Sequence, residues 1–377
     1  MQFLSKLSGR SPILEAVELQ CTFEIGPPGD EVDEVQAYWK EVFKLTPMLK
    51  DAPGLKFLRM LGLPFSDCLL QLHHLTHLEL LSTSSVGSRD YLAIMSANPM
   101  LEVIILCGTG DRVEGLHDME ATAISLPHLR RMELCRIPVD RILRGFTFPP
   151  GVHLSCDCFF GYVIPDSSGL LNISTATKLQ FAFSRRPRRV SRLISGYGPN
   201  GTFLLSDNSN QLNLYIPEIS LRSLEELSIS FAGTGAEGSP ALSFVDAHGP
   251  LFEFIFASFS CLRVLILQQV DGCEIIFRLL RDPHIFPKLN TLVLAKAQSH
   301  TTYWSSLVEM ARVRDQDTGS SDVRHVDISC RAEELPEPDQ LAELRAHVFL
   351  VEINPWNYEV GKLDWLKDSR FRNLGRL

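Results

Sequence analysis

The strongest constraint on this chain is a six-residue phrase that keeps returning. Leu101, Ile104 and Leu106 set the spacing L-x-x-L-x-L, and Leu75/Leu78/Leu80 and Leu129/Met132/Leu134 repeat it. It recurs at Leu224/Leu227/Ile229, Leu262/Leu265/Leu267, Leu289/Leu292/Leu294 and Val323/Val326/Ile328, with looser copies at Leu14/Val17/Leu19 and Leu55/Leu58/Met60. Copies beginning at Leu75, Leu101 and Leu129 lie 26 and 28 residues apart, and those at Leu262 and Leu289 lie 27 apart. That falls within the period of leucine-rich repeats, about 20–29 residues. Wider gaps after Leu224 and Leu289 carry insertions.

The phrase has a physical reading. Side chains alternate across a strand, so positions four and six point to one face while three, five and seven point to the other. Between the phrases lie stretches with helical apolar spacing, which predict helices over 32–43, 89–97, 140–146, 272–281 and 303–313. A unit of strand, turn and returning helix leaves one apolar face wet, and stacking neighbours buries it. The expected fold is therefore mixed α/β, a right-handed leucine-rich-repeat solenoid (horseshoe) with irregular, partly degenerate central repeats. It is read as one domain over 1–377: regular repeats 55–148, degenerate repeats 149–217, regular repeats 218–330 and a C-terminal cap or tail 331–377. The central stretch keeps the alternating runs Val152/Leu154, Leu179/Phe181/Phe183, Phe203/Leu205 and Leu212/Leu214/Ile216 but has no good helix. A small β domain inserted into the array is the other reading. At Leu14 the chain is already inside a repeat, so something that normally precedes the array is expected to be missing.

Charge narrows the function. A formal net charge of -9 argues against nucleic acid, because phosphate surfaces need clustered Lys and Arg. The N-terminus lacks the apolar core of a signal peptide, and no window approaches the length needed to span a bilayer. Nine cysteines, mostly isolated, suit reduced thiols. The expectation is a cytoplasmic or nuclear chain with no membrane contact and a protein as its partner.

Positions three, five and seven supply the candidate contact surface on the concave face: His77, Glu79, Val103, Ile105, Arg131, Glu133, Val264, Ile266, Val293 and His325. The same rows hold Phe57, Arg59, Glu226, Ser228, Thr291, Asp327 and Ser329. Val103/Ile105 and Val264/Ile266/Val293 are more apolar than a solvated sheet should be. They are either a recognition patch flanked by charges or positions covered by the tail or the central loops.

Other chemistry finds little purchase. Cys107 and Cys135 occupy position seven, as exposed thiols or as small core-edge residues. Cys156 and Cys158 lack a second ligand pair at zinc spacing, and in the 73–77 stretch His77 projects from a strand that His73 and His74 precede. Residues 185–189 (R-R-P-R-R) read as an import signal, as a kinase site acting on Ser191, or as a solvated loop. The glycine-rich 196–201 stretch does not join a strand to a helix, so it is not a phosphate loop. No nucleophile elbow, zincin or kinase signature occurs, so no catalytic residue, cofactor or metal is expected.

Residues 75–80 (L-T-H-L-E-L), 98–106 (N-P-M-L-E-V-I-I-L), 126–134 (L-P-H-L-R-R-M-E-L) and 286–294 (F-P-K-L-N-T-L-V-L) resemble the F-box/leucine-rich-repeat family of fungi. The resemblance covers the repeat region only. It implies a substrate receptor of a cullin ubiquitin ligase, whose F-box docks on the ligase adaptor and whose repeats present a protein substrate. No F-box pattern precedes the repeats here; residues 335–344 (L-P-E-P-D-Q-L-A-E-L) are a look-alike that follows them. The alternative is a free-standing repeat scaffold unconnected to ubiquitination.

Overall fold

The computed structural model describes residues 14–20, 52–63, 67–83, 87–108, 124–137, 139–143, 146–157, 171–186, 189–207, 222–233, 259–268, 273–295, 301–318, 323–330 and 335–355. The expected helix at 32–43, the expected strand at 212–216 and the tail 356–377 lie outside them. Among the described residues the fold is α/β, dominated by a fourteen-stranded, mostly parallel sheet. The chain divides into two compact units, residues 1–174 with 197–220 and residues 175–196 with 221–377.

In chain order the first unit carries β1 (Ala16–Gln20), β2 (Phe57–Leu61), a 3-10 turn (Asp67–Gln71), β3 (His77–Thr83), α1 (Ser88–Ser96), β4 (Val103–Gly108), β5 (Ile124–Ser125), β6 (Arg131–Cys135), α2 (Val139–Leu143), β7 (Phe146–Thr147), β8 (Val152–Asp157) and α3 (Leu171–Ser174). After β9 (Lys178–Arg186) and β10 (Arg189–Gly198) it closes with β11 (Gly201–Asp207). The second unit has β9, most of β10, β12 (Glu226–Gly233), β13 (Val264–Gln268), α4 (Cys273–Leu280), β14 (Thr291–Ala295), α5 (Thr301–Thr318), β15 (His325–Cys330), α6 (Pro338–His347) and β16 (Leu350–Pro355).

The leucine phrase explains why the strands align. In the first unit the strand order is β1-β2-β3-β4-β6-β8-β11, and position four stays in register from Leu58 through Leu78, Ile104, Met132 and Leu154 to Phe203. Position six runs in parallel through Met60, Leu80, Leu106, Leu134, Cys156 and Leu205. All of these side chains are buried. In the second unit β9-β12-β13-β14-β15-β16 carry Leu179, Leu227, Leu265, Leu292, Val326 and Val351 in one row. A slip of one residue would turn every such row toward the other face, at about 1.5–3 kcal/mol for each side chain exposed.

The entry to each strand repeats as well. Leu55, Leu101, Leu129, Leu262 and Leu289 each donate their backbone N–H to the carbonyl three residues earlier, on Ala52, Asn98, Leu126, Phe259 and Phe286. In four of these turns the next residue is proline (Pro53, Pro99, Pro127, Pro287), whose fixed φ suits the second position of a turn. The next two amides then share the carbonyl just before the preceding strand: Glu102 and Val103 bond Thr76, and Arg130 and Arg131 bond Glu102. Arg263 and Val264 do the same with Glu225, and Asn290 and Thr291 with Arg263.

Three expectations need correction. Residues 185–189 are not simply a loop: β9 runs to Arg186 and β10 starts at Arg189. Only two residues connect them, too few for a crossover, so β10 turns back antiparallel to β9. The helix expected over 140–146 is the shorter α2, which ends at Leu143. Phe146 opens β7, pairs with Ile124 and stacks on Phe148 at 5.8 Å; the two-residue alternation of buried phenylalanines is a strand pattern. The central stretch also holds one helical turn, α3, where none was expected. The helices expected at 89–97, 272–281 and 303–313 are α1, α4 and the longer α5.

Candidate functional site

The face of the sheet opposite the leucine rows carries every candidate residue, and each is half-buried. In the first unit the register sets Val103 between His77 and Arg131, and Ile105 between Glu79 and Glu133. An apolar strand is thus framed by two charged ones.

The charges of the frame are engaged within the sheet. His77 Nε2 donates to Glu79 Oε1 at 3.1 Å, and the His77 ring rests against Phe57 with centroids 4.7 Å apart. Arg59 reaches both neighbours: its Nη1 donates to Glu18 Oε1 at 3.1 Å, and its Nε lies 3.1 Å from Glu79 Oε2. That second contact is Coulombic, since the Nε–H makes no aligned hydrogen bond. Across the apolar strand Arg131 Nε donates to Glu133 Oε1 at 2.7 Å. The hydrogen bond from His77, reinforced by the Arg59, His77 and Arg131 charges, holds the Glu79 carboxyl below the usual glutamate range against the opposing effect of burial.

The row through position five reads Glu18, Arg59, Glu79, Ile105, Glu133. Charges alternate until Ile105, which stands between two carboxylates where a cation would complete the pattern. Electrostatics within the fold does not call for an isoleucine there.

The second unit repeats the arrangement. Val264 and Ile266 on β13 adjoin Thr291 and Val293 on β14. On one side Lys178 Nζ donates to Glu226 Oε2 at 2.7 Å. On the other, His325 Nε2 lies 3.4 Å from Glu352 Oε2, and Asn354 Nδ2 donates to Asp327 Oδ1 at 2.8 Å.

Not all of this face is accessible. In the first unit Ser155 and Leu204 continue the Ile105 row and are buried. In the second, Gln180 and Ser228 continue the Ile266 row, and both are buried; Ser329 is buried too. Ser228 and Ser329, expected on the contact surface, therefore do not belong to it. The apolar patches keep their half-exposure. The other suspected groups do not converge: His73 Nδ1 faces the Ala97 carbonyl at 3.4 Å, while His77 is turned to Glu79. Among the described residues no three His, Cys, Asp or Glu side chains gather as a metal would require, and no helix is long and apolar enough to cross a membrane. Cys156 fills a core position, whereas Cys107 and Cys135 are half-exposed on the open face.

Two residues that position the strands escaped the sequence reading. Asn98 is fully buried and holds three backbone groups: its Nδ2 donates to Leu72 O at 2.9 Å and Ile94 O at 2.8 Å, and its Oδ1 accepts from Leu75 N at 2.9 Å. Arg314 of α5, also fully buried, donates Nε to Leu280 O at 2.6 Å, Nη2 to Asp282 O at 3.2 Å and Nη1 to Phe286 O at 3.5 Å, with Ile285 O a further acceptor. The only advance signal was polar residues at places where the repeat pattern expects an apolar one.

No protein-family model and no curated protein matches the chain.

Proposed function

We propose that the stacked strands are leucine-rich repeats of a solenoid and that the chain is a non-enzymatic protein-recognition module, binding a partner protein on the open face of its sheet. The observation that carries this reading is Val103 and Ile105 held between two strands whose charges are already engaged. A frame satisfied within the sheet has little electrostatic need of a ligand, whereas half-exposed β-branched side chains gain from apolar cover. The second patch, Val264, Ile266 and Val293, has the same construction.

Within that class the first reading is the substrate-presenting part of a cullin ubiquitin ligase receptor, on the resemblance of the repeat phrases. The second is a free-standing repeat scaffold. Residues 335–344 favour the second: in this F-box look-alike Leu344 is buried and α6 is packed on α5, with Gln340 Nε2 donating to Ser305 Oγ at 3.3 Å.

The experiment is affinity capture of the tagged full chain from native cells, scored by quantitative mass spectrometry, beside an Ile105→Lys variant. Lysine between Glu79 and Glu133 completes the charge alternation, so the fold tolerates it while the apolar contact is lost. Cullin adaptor among the captured proteins selects the first reading, and an adaptor-free partner list selects the second. A list identical for wild type and Ile105→Lys discards this face as the contact surface.

A further inference from the structure

Cys107 and Cys135 stand directly opposite each other on neighbouring parallel strands, β4 and β6, side by side on the open face and both half-exposed. We propose that they form an oxidisable dithiol, a modification site that closes to a disulfide under hydrogen peroxide or an organic hydroperoxide and reopens with thiol reductants.

The backbone geometry admits the bond. Adjacent strands lie about 4.8 Å apart, inside the Cα separation that disulfides span, about 4.4–6.8 Å. Parallel strands also hold the two Cβ atoms near that spacing, slightly beyond the usual 3.5–4.5 Å, so closure needs a small local twist. The chain allows it here, because both strands are ending: Gly108 closes β4, and Arg136, with φ of 53°, turns the chain out of β6. A disulfide that needs such an adjustment is more easily reduced than a relaxed structural one, which makes the site reversible. Three further cysteines, Cys156, Cys330 and Cys261, are placed differently. Cys156 and Cys330 are buried, and Cys261 lies in the second unit, in the turn before β13.

The chemistry balances in two steps. The thiolate of one cysteine attacks one peroxide oxygen and breaks the O–O bond. The sulfur becomes a sulfenic acid, and the hydroxide that leaves, or the alkoxide of an organic hydroperoxide, takes up the proton the thiol gave up and departs as water or the alcohol. The second thiolate then attacks that sulfenyl sulfur, forming the S–S bond and releasing a molecule of water as the hydroxyl leaves with a proton. The two sulfurs together lose two electrons, which the peroxide accepts. The site lies one alternation along β4 from Ile105, but its formation does not depend on any partner.

The test treats the full native chain with hydrogen peroxide, blocks remaining thiols with iodoacetamide, digests under non-reducing acidic conditions and maps cross-linked peptides by mass spectrometry. The expected result is a Cys107–Cys135 cross-link, two hydrogens lighter than the separate peptides and abolished by dithiothreitol. In Cys107→Ser and Cys135→Ser chains the remaining thiol should instead be trapped as a sulfenic acid by dimedone. Recovery of both cysteines as separate alkylated or over-oxidised peptides in wild type overturns the proposal, as does either one cross-linked to a different cysteine.

Discussion

Replacing Asn98 by alanine tests whether the turn that feeds β4 is held by a polar side chain as much as by leucines. The side chain satisfies three buried backbone groups, the N–H of Leu75 and the carbonyls of Leu72 and Ile94. It also stands in for a helical bond: the Asn98 amide bonds Met95 O instead of Ile94 O, so at the end of α1 the Ile94 carbonyl meets the Asn98 side chain. Each hydrogen bond contributes about 1 kcal/mol net, and each group left buried without a partner costs about 1–3 kcal/mol. With Asn98 fully buried, water restores these bonds only in part, and the loss should be about 3–5 kcal/mol, a large share of a domain's typical stability of about 5–15 kcal/mol. Because the chain has two units, a probe local to this turn reports the loss most directly. Native-state hydrogen exchange, followed on peptides from 67–108, is local. Asn98→Ala should speed exchange there by roughly two to four orders of magnitude, while Met100→Ser, at a residue 46% exposed, leaves it unchanged. Asn98→Asp should be no better than alanine near neutral pH, since it keeps the acceptor for Leu75 but turns a carboxylate toward two carbonyls. Burial would raise that new carboxyl's pKa, so its penalty should fade as pH drops toward the unfolded aspartate value, about 3.9. Exchange in Asn98→Ala within tenfold of wild type would refute the reasoning.

Further outcomes follow from the same geometry. Arg314→Met strips the donors from the carbonyls of Leu280, Asp282, Ile285 and Phe286 and should destabilise the second unit by roughly 3–5 kcal/mol; native-state hydrogen exchange on peptides from 273–318 measures it. Glu79 has its carboxyl held low by His77 and Arg59. Its stabilising contribution is therefore present above the ordinary glutamate range and lost as pH falls through the lowered value, so thermal melts of Glu79→Gln from about pH 6 to about pH 3 should fall less steeply than those of wild type. At Gly201, with φ of +122°, a Cβ would sit 2.2 Å from the Val152 carbonyl oxygen, whereas at Gly151, with φ of +87°, it would meet nothing within 4 Å. Gly201→Ala should thus cost well over the roughly 1–3 kcal/mol of backbone strain expected for Gly151→Ala, as equilibrium unfolding of the pair would show.

The sequence by itself determined the strands that carry the leucine phrase, and their faces, because a period of two inside a period near 27 leaves one way to bury Leu78, Ile104 and Met132 together. It also placed Val103, Ile105, His77 and Glu79 on the opposite face, since alternation along a strand is a local rule. It could not disclose that Arg59 joins His77 at Glu79, because Arg59 meets that carboxylate only through the register of β2 against β3, two strands separated along the chain. Nor could it show β10 after the arginine run, where pairing with β9 overrides the look of a loop. Only the tertiary structure decided which part of the open face stays accessible. Ser155, Leu204, Gln180 and Ser228 obey the same alternation as Ile105 and Ile266 yet are buried. Alternation says which way a side chain points, and burial depends on what the rest of the chain packs against it.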